Sequence, residues 1–356
     1  MTRVVSDGLG FGQRVPDFER HQADGKGRYF YDIVDGRPLL LAAFATTDPA
    51  AVGPALATLA GVGDAQTVVA LVPLPPSGLD QHGLASRGAL TVLADDGGVV
   101  SWLRGTRAPA GLLTLFALDP NQRAIERFEV SGPELLPAAL EQASVALRAR
   151  AWSAPGVVSA GAPALFVPRV FEPAFCAELI ALFERVGGSP SGVLVKQGGE
   201  LRYQVDARFK QRRDVETFRP ELEARLREMV QARVFPEVDK CFAYRATSIE
   251  ASKLVCYDDA QGGGYHRPHR DNVTADVAAR RFALSINLNA GEYAGGQLRF
   301  PEYGPELYQP ASGAALAFSC SLLHEALPVT RGRRFVFLTF LSDARAPGPH
   351  LYHAPG

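Results

Sequence analysis

The 356-residue chain has four cysteines, two methionines, two tryptophans and almost no net charge: 37 Lys and Arg against 38 Asp and Glu. A balance of −1 leaves no overall field to hold a nucleic acid or an anionic membrane, so any partner is recognised locally. Cys176, Cys241, Cys256 and Cys320 are irregularly spaced and form no CxxC. That excludes a zinc knuckle and fits a reducing cytoplasm better than a disulfide framework. The longest apolar stretch, residues 38–45, falls well short of the ~20 residues of a membrane-spanning helix. The opening MTRVVSDGLGFGQRVPDF carries no signal-peptide pattern, and the expectation is a soluble cytoplasmic protein whose mature chain starts near Met1.

What is present is enough apolar sequence, 47%, for two cores. The stretch 149–163, ARAWSAPGVVSAGAP, reads as a linker between residues 1–148 and 164–345, with 346–356 as a Pro/Gly-rich tail. The first half alternates strand-like and helix-like segments, the pattern of an α/β layer fold. Residues 39–45 suit a buried strand and 49–59 a helix; 67–72, 90–93, 99–103 and 112–118 read as further strands. A closing helix over 132–147 would place Leu135, Leu136, Ala139, Leu140 and Ala143 on one face.

In the second half, Tyr265-His266-Arg267-Pro268-His269-Arg270-Asp271 places His269 and Asp271 two apart, on one face of an extended strand. A third ligand must come from elsewhere in the fold; the only later histidines are His324, His350 and His353, and the last two lie in the tail, so His324 is the natural choice. Two histidines and a carboxylate leave open positions on an octahedral iron, the facial arrangement of non-haem Fe(II) oxygenases. The segment 281–289, RFALSINLN, alternates Phe282, Leu284, Ile286 and Leu288 with Ala283, Ser285, Asn287 and Asn289, so one face packs and the other lines a cavity. Short strands divided by Gly/Pro turns suggest a double-sheet jelly roll. The basic run 208–214, RFKQRRD, reads as a solvated face rather than a nucleic-acid site, and His266 as a rim residue.

Two resemblances follow from these phrases. Val15-Pro16-Asp17-Phe18, Asp35-Gly36-Arg37-Pro38-Leu39-Leu40-Leu41 and Leu118-Asp119-Pro120-Asn121-Gln122 resemble the thioredoxin-like fold of peroxiredoxins, but this half contains no cysteine, so thiol peroxidase chemistry does not transfer. Its role would then be a scaffold, a partner surface or a dimerisation surface. Residues 254–341 resemble the double-stranded β-helix core of prolyl 4-hydroxylase-like, 2-oxoglutarate/Fe(II)-dependent dioxygenases. The series runs Tyr257, His269-Arg270-Asp271, Asn287-Leu288-Asn289, Gly295-Gly296-Gln297-Leu298, Leu323-His324-Glu325 and Gly332-Arg333-Arg334.

That resemblance implies His269, Asp271 and His324 as ligands of Fe(II), with 2-oxoglutarate and O₂ as co-substrates and ascorbate as a candidate stimulant. It further implies Arg334, in preference to Arg333, as the grip on the distal carboxylate of 2-oxoglutarate, with Tyr257 and Asn287 near the same co-substrate. Asn287 stands where many relatives have tyrosine, and Asp258-Asp259 where many have Pro-Gly. The implied reaction hydroxylates an unactivated C–H bond of a protein side chain, prolyl in type, or of a small amino-acid-like molecule. A non-catalytic protein that senses metal or 2-oxoglutarate, and a zinc hydrolase, are the alternatives.

Overall fold

Six consecutive apolar residues, Leu39–Phe44, are all fully buried because the strand they form is covered on both faces. It is central in a five-stranded sheet of order Leu90–Ala94, Thr67–Val72, Leu39–Phe44, Leu113–Leu118, Ala124–Val130, in which the first three strands are parallel and the last two antiparallel to their neighbours. Leu40, Ala42 and Phe44 face a core closed by helices Pro49–Ala60 and Leu136–Arg148. Leu39, Leu41 and Ala43 face another, closed by Phe30, Val34, Val100 and Leu103. The structure, a computed structural model, describes residues 8–34, 37–62, 66–148, 161–197, 200–216 and 218–343.

Three details of this half differ from the sequence expectation. Val99–Arg104 is a helix where the β-branched pair Val99-Val100 suggested a strand. The Asp95 carboxylate accepts from the backbone N–H groups of Val99 and Val100, at 3.0 and 2.7 Å, and so satisfies donors that the first helical turn leaves open. Ala124–Val130 is an additional strand, pairing with Leu113–Leu118. The closing helix begins with a 3₁₀ turn, Pro133–Leu135, which rotates Leu135 to the surface while Leu136, Leu140, Ala143 and Leu147 are buried.

The chain divides into two units, Met1–Pro155 and Gly156–Gly356. Of the expected linker, residues 149–160 lie outside the described residues, as does the whole of the expected tail, 346–356. No helix among the described residues is long and apolar enough to cross a membrane.

The second unit is built around two main sheets, beside two-stranded pairings of Val193–Gln197 with Glu200–Gln204 and of Ala294–Gly295 with Val329–Arg331. The larger runs Ala164–Val167, Ala315–Ser319, Phe282–Asn287, Arg333–Ser342, Lys253–Asp258, Arg213–Val215, Ser189–Pro190, and Ser248–Ile249 also pairs with Arg333–Ser342. The smaller runs Lys210–Gln211, Tyr265–His269, His324–Ala326, Leu298–Arg299, Leu307–Tyr308. Alternation along each strand of the larger sheet separates two cores. Leu254, Cys256, Phe282, Leu284, Ile286, Phe335 and Phe337 pack with helices Pro173–Val186, Pro220–Arg233 and Phe235–Phe242. Val255, Tyr257, Ala283 and Val336 turn the other way, toward Leu298, Ala326 and Phe300 of the smaller sheet's side. Pro173 opens the first of these helices and Gly187, at φ +85°, ends it, each in the position its backbone suits.

Candidate metal centre

Strand Tyr265–His269 pairs antiparallel with His324–Ala326, and the register sets His269 directly opposite His324. An irregularity between His266 and His269 frees the intervening residues from regular pairing. Asp271 lies two residues beyond the strand's end, fixed by donation of its backbone N–H to the Cys320 carbonyl at 3.0 Å. Its Oδ1 is 3.4 Å from His269 Nε2 and its Oδ2 is 3.4 Å from His324 Nε2. The three side chains offer ligand atoms that all lie within 4.8 Å of one another. Donors about 2.1 Å from one ion and at right angles around it stand about 3 Å apart, a spacing the two 3.4 Å separations from Asp271 approach, so the three residues could hold one metal ion.

Hydrogen bonds orient both imidazoles. His269 Nδ1 meets the Arg267 carbonyl at 2.7 Å, and His324 Nδ1 meets the Leu322 carbonyl at 3.0 Å. A carbonyl only accepts, so each Nδ1 carries the hydrogen and each Nε2 presents its lone pair toward Asp271. Burial works to raise the Asp271 pKa, but His324, His269 and Arg280 together outweigh it and hold the carboxylate below its ordinary range. Burial, aided by His269, pulls the His324 pKa down against the pull of Asp271. An ionised carboxylate and a neutral imidazole are the protonation states that bind a cation.

The triad opens into a cavity of about 180 Å³ between the sheets, also lined by Lys210, Arg212, Tyr257, His266, Ser285 and Arg334. Arg334 is buried, sits opposite Tyr257 in the register and holds its guanidinium carbon 5.2 Å from the centre of that ring. It has no hydrogen-bond or ion-pair partner among the described residues. Arg333 points the other way, to the surface, and pairs with Glu184 at 2.6 Å. Gly296, at φ +71°, passes close over the stem of Arg334: a Cβ there would stand 3.0 Å from Arg334 Cδ and 2.9 Å from Val329 Cγ2.

Tyr257 is buried, and its hydroxyl accepts from Arg212 Nη1 at 3.1 Å. Asn287 is not brought to the cavity: its amide donates to Tyr293 Oη at 2.6 Å and to the Pro310 carbonyl at 3.0 Å. His266 lies deeper than a rim position, its ring centre 3.5 Å from that of His269, and it lines the cavity.

The basic run is only partly a solvated face. Arg208 is exposed, but Lys210 and Asp214 are buried, and Arg212 turns into the cavity with a 3.0 Å bond to Asp214. The chain crosses there from the smaller sheet, at Lys210–Gln211, to the larger, at Arg213–Val215. Lys210, Arg212 and Asp214 are two apart, a spacing visible in the sequence that could have marked an inward face.

No protein-family model matches the chain. Over 79 residues, 21% of this chain and 10% of its relative, it is 37% identical to the multifunctional procollagen lysine hydroxylase and glycosyltransferase of Rattus norvegicus; the match thus spans about a tenth of that protein's length. Among solved structures, the viral collagen prolyl hydroxylase of Paramecium bursaria Chlorella virus-1 is 16% identical with a TM-score of 0.39, covering 52% of this chain and 98% of that one. A Pseudomonas putida prolyl-4-hydroxylase is 18% identical with a TM-score of 0.39, over 51% of this chain and 93% of its own. The peroxidoxin BcpB of Mycobacterium tuberculosis is 19% identical with a TM-score of 0.31, over 40% of this chain and 99% of its own.

Proposed function

We propose that the second unit is a 2-oxoglutarate- and Fe(II)-dependent dioxygenase of the prolyl 4-hydroxylase-like kind, which hydroxylates a C–H bond of a protein side chain or of a small amino-acid-like molecule. The observation that carries this reading is the pairing of the His269–Asp271–His324 cluster with a buried arginine, Arg334, whose guanidinium has no anionic partner among the described residues. A buried guanidinium without a counter-ion is costly, and a carboxylate bound in the same cavity would relieve it through two parallel hydrogen bonds. Fe(II) bound with 2-oxoglutarate and O₂ supplies the oxidising power for the hydroxylation, with succinate and CO₂ released.

In this reading His269 Nε2, His324 Nε2 and the Asp271 carboxylate hold the metal, while the carbonyls of Arg267 and Leu322 keep the two imidazoles in the ligating tautomer. Arg334 holds the distal carboxylate of the co-substrate and Tyr257, stacked beside it, limits where that co-substrate lies. A zinc hydrolase would use the same three ligands with a bound water, but would leave Arg334 without a task. The first unit we read as a thioredoxin-like domain without cysteine, serving as a scaffold or a partner surface; its sheet order supports this.

The test is iron content and 2-oxoglutarate turnover of the purified chain. Wild type should bind one Fe(II) per chain and form succinate from 2-oxoglutarate, and His269→Ala should lose both. Iron content unchanged in that variant would remove the triad assignment.

A further inference from the structure

Five cationic side chains line the cavity, and three of them are neutralised by carboxylates of their own. Arg212 pairs with Asp214 at 3.0 Å, Lys253 with Glu216 at 2.5 Å and Arg280 with Glu250 at 2.8 Å. The other two, Arg334 and Lys210, have no carboxylate partner among the described residues. Lys210 is 8% exposed, and its ammonium donates to the uncharged carbonyl of Gly192.

The charges of the proposed complex balance with one exception. A divalent metal on Asp271 leaves one positive charge and Arg334 adds another, and the two carboxylates of 2-oxoglutarate cancel both. Among the described residues, Lys210 is then the one cavity cation left without a counter-charge. An unpaired ammonium in so buried a place is unfavourable, and an anion that enters the cavity beside it removes the penalty. Burial, with Arg212 and Lys253 adding repulsion against the weaker attraction of Asp214 and Glu216, pulls its pKa down to about 7, as expected for an ammonium awaiting a partner.

The two cations reach the cavity from different sheets. Arg334 belongs to the larger sheet, whereas Lys210 lies on the edge strand of the smaller sheet, opposite His266 and next to the strand that carries His269. The preceding residue, Phe209, sets its ring edge-on 6.2 Å from that of His269. The cavity, about 180 Å³, is below the several hundred Å³ of drug-sized pockets, so it admits the reacting end of a substrate rather than a whole large molecule.

We infer that Lys210 is a specificity-determining residue that receives a carboxylate of the molecule to be hydroxylated, so that the substrate class is one bearing a carboxylate close to the reacting carbon. This rests on the dioxygenase reading above, and it narrows the substrate from any side chain or amino-acid-like molecule to an acidic one. The carboxylate could belong to a free amino-acid-like molecule or to an Asp or Glu side chain in a peptide.

The experiment is anaerobic equilibrium titration of the full chain, loaded with Fe(II) and 2-oxoglutarate, with matched probes. One pair is N-acetylglycine and its primary amide; the other is a hexapeptide with a central Glu and the same peptide with Gln. In at least one pair the acid should bind about tenfold or more tighter than the amide, and the pair that discriminates identifies the source of the carboxylate. Lys210→Met should abolish that preference, Lys210→Arg should retain most of it, and both should keep the wild-type affinities for Fe(II) and 2-oxoglutarate. Equal or absent binding of acid and amide in both pairs would overturn the inference. So would a Lys210→Met variant that loses 2-oxoglutarate affinity instead, which would move Lys210 to the co-substrate site. A wild-type chain that fails to bind Fe(II) and 2-oxoglutarate at all would sink the dioxygenase reading itself, and the inference with it.

Discussion

Arg333 and Arg334 are neighbours in sequence with opposite surroundings, because successive residues of a strand face opposite ways. Arg333 reaches Glu184 at the surface and Arg334 turns to Tyr257 and the cavity. Arg334→Met should therefore raise the KM for 2-oxoglutarate by about tenfold or more, some 1.4 kcal/mol of lost binding, and Arg333→Met should leave it unchanged. A wild-type KM in Arg334→Met would refute the assignment. Lys210 carries a different prediction. Its folded pKa, about 7, lies below the ordinary value of 10.5, so between those values the unfolded chain binds the proton that the folded chain has lost. Stability from this residue rises with pH across that window and is smallest below it. Thermal melts of the metal-free protein should show wild type gaining on Lys210→Met between about pH 6 and about pH 9. A constant difference between the two would contradict it. His269, Asp271 and His324 could be named as candidates from residue type and order, and the fold brings them together; nothing local distinguishes Asn287, whose amide is absorbed by Tyr293 and Pro310.

At the scale of elements, alternation marked residues 281–289 as a strand with one packing face, and Phe282–Asn287 divides its two faces as its sequence alternates. Val99–Arg104 shows where such reading stops. Two β-branched residues favour a strand by propensity, yet the carboxylate of Asp95 reaches forward to their backbone N–H groups while accepting from Arg20 Nε at 2.9 Å. The competing signal, an acidic residue and two glycines ahead of the valines, was present but weaker than propensity. Asp95→Ala should destabilise the first unit by about 2 kcal/mol, since it removes the acceptor of two backbone N–H groups and leaves Arg20 without its carboxylate partner. Denaturant titration measures this; a loss below a few tenths of a kcal/mol would mean that the helix holds without its cap.

For the whole molecule, the distribution of cysteine separates the units: none stands before Cys176. Cys176, Cys256 and Cys320 are buried and Cys241 is exposed. Burial pushes the Cys176 thiol up to about 11 and the Cys256 thiol up to about 12, and raises Cys320 further, so their reactive thiolates are scarce at neutral pH. A disulfide-exchange reagent should consume one thiol quickly in the native protein and all four only on unfolding, and Cys241→Ser should remove the fast phase. Rapid reaction of two or more thiols in the native chain would contradict this burial. Because residues 1–148 contain no cysteine, peroxide consumption by thiol chemistry should not arise there.

By itself, the sequence determined what local pattern can carry: two apolar cores' worth of residues, the i, i+2 spacing of His269 and Asp271, and the absence of cysteine from the first half. These need only residue types and their order; the strand face expected to carry both ligands ends at His269, and Asp271 is set by its backbone bond to Cys320 instead. Tertiary structure alone decided which groups share the cavity. His324 meets His269 because their strands pair in one register, and Arg212 enters where the chain passes from the smaller sheet at Lys210–Gln211 to the larger at Arg213–Val215. Asn287 leaves because Tyr293 and Pro310 offer it nearer partners. The meeting of His269 and His324 joins residues distant in the chain, and strand pairing and packing rather than residue type set which groups reach the cavity.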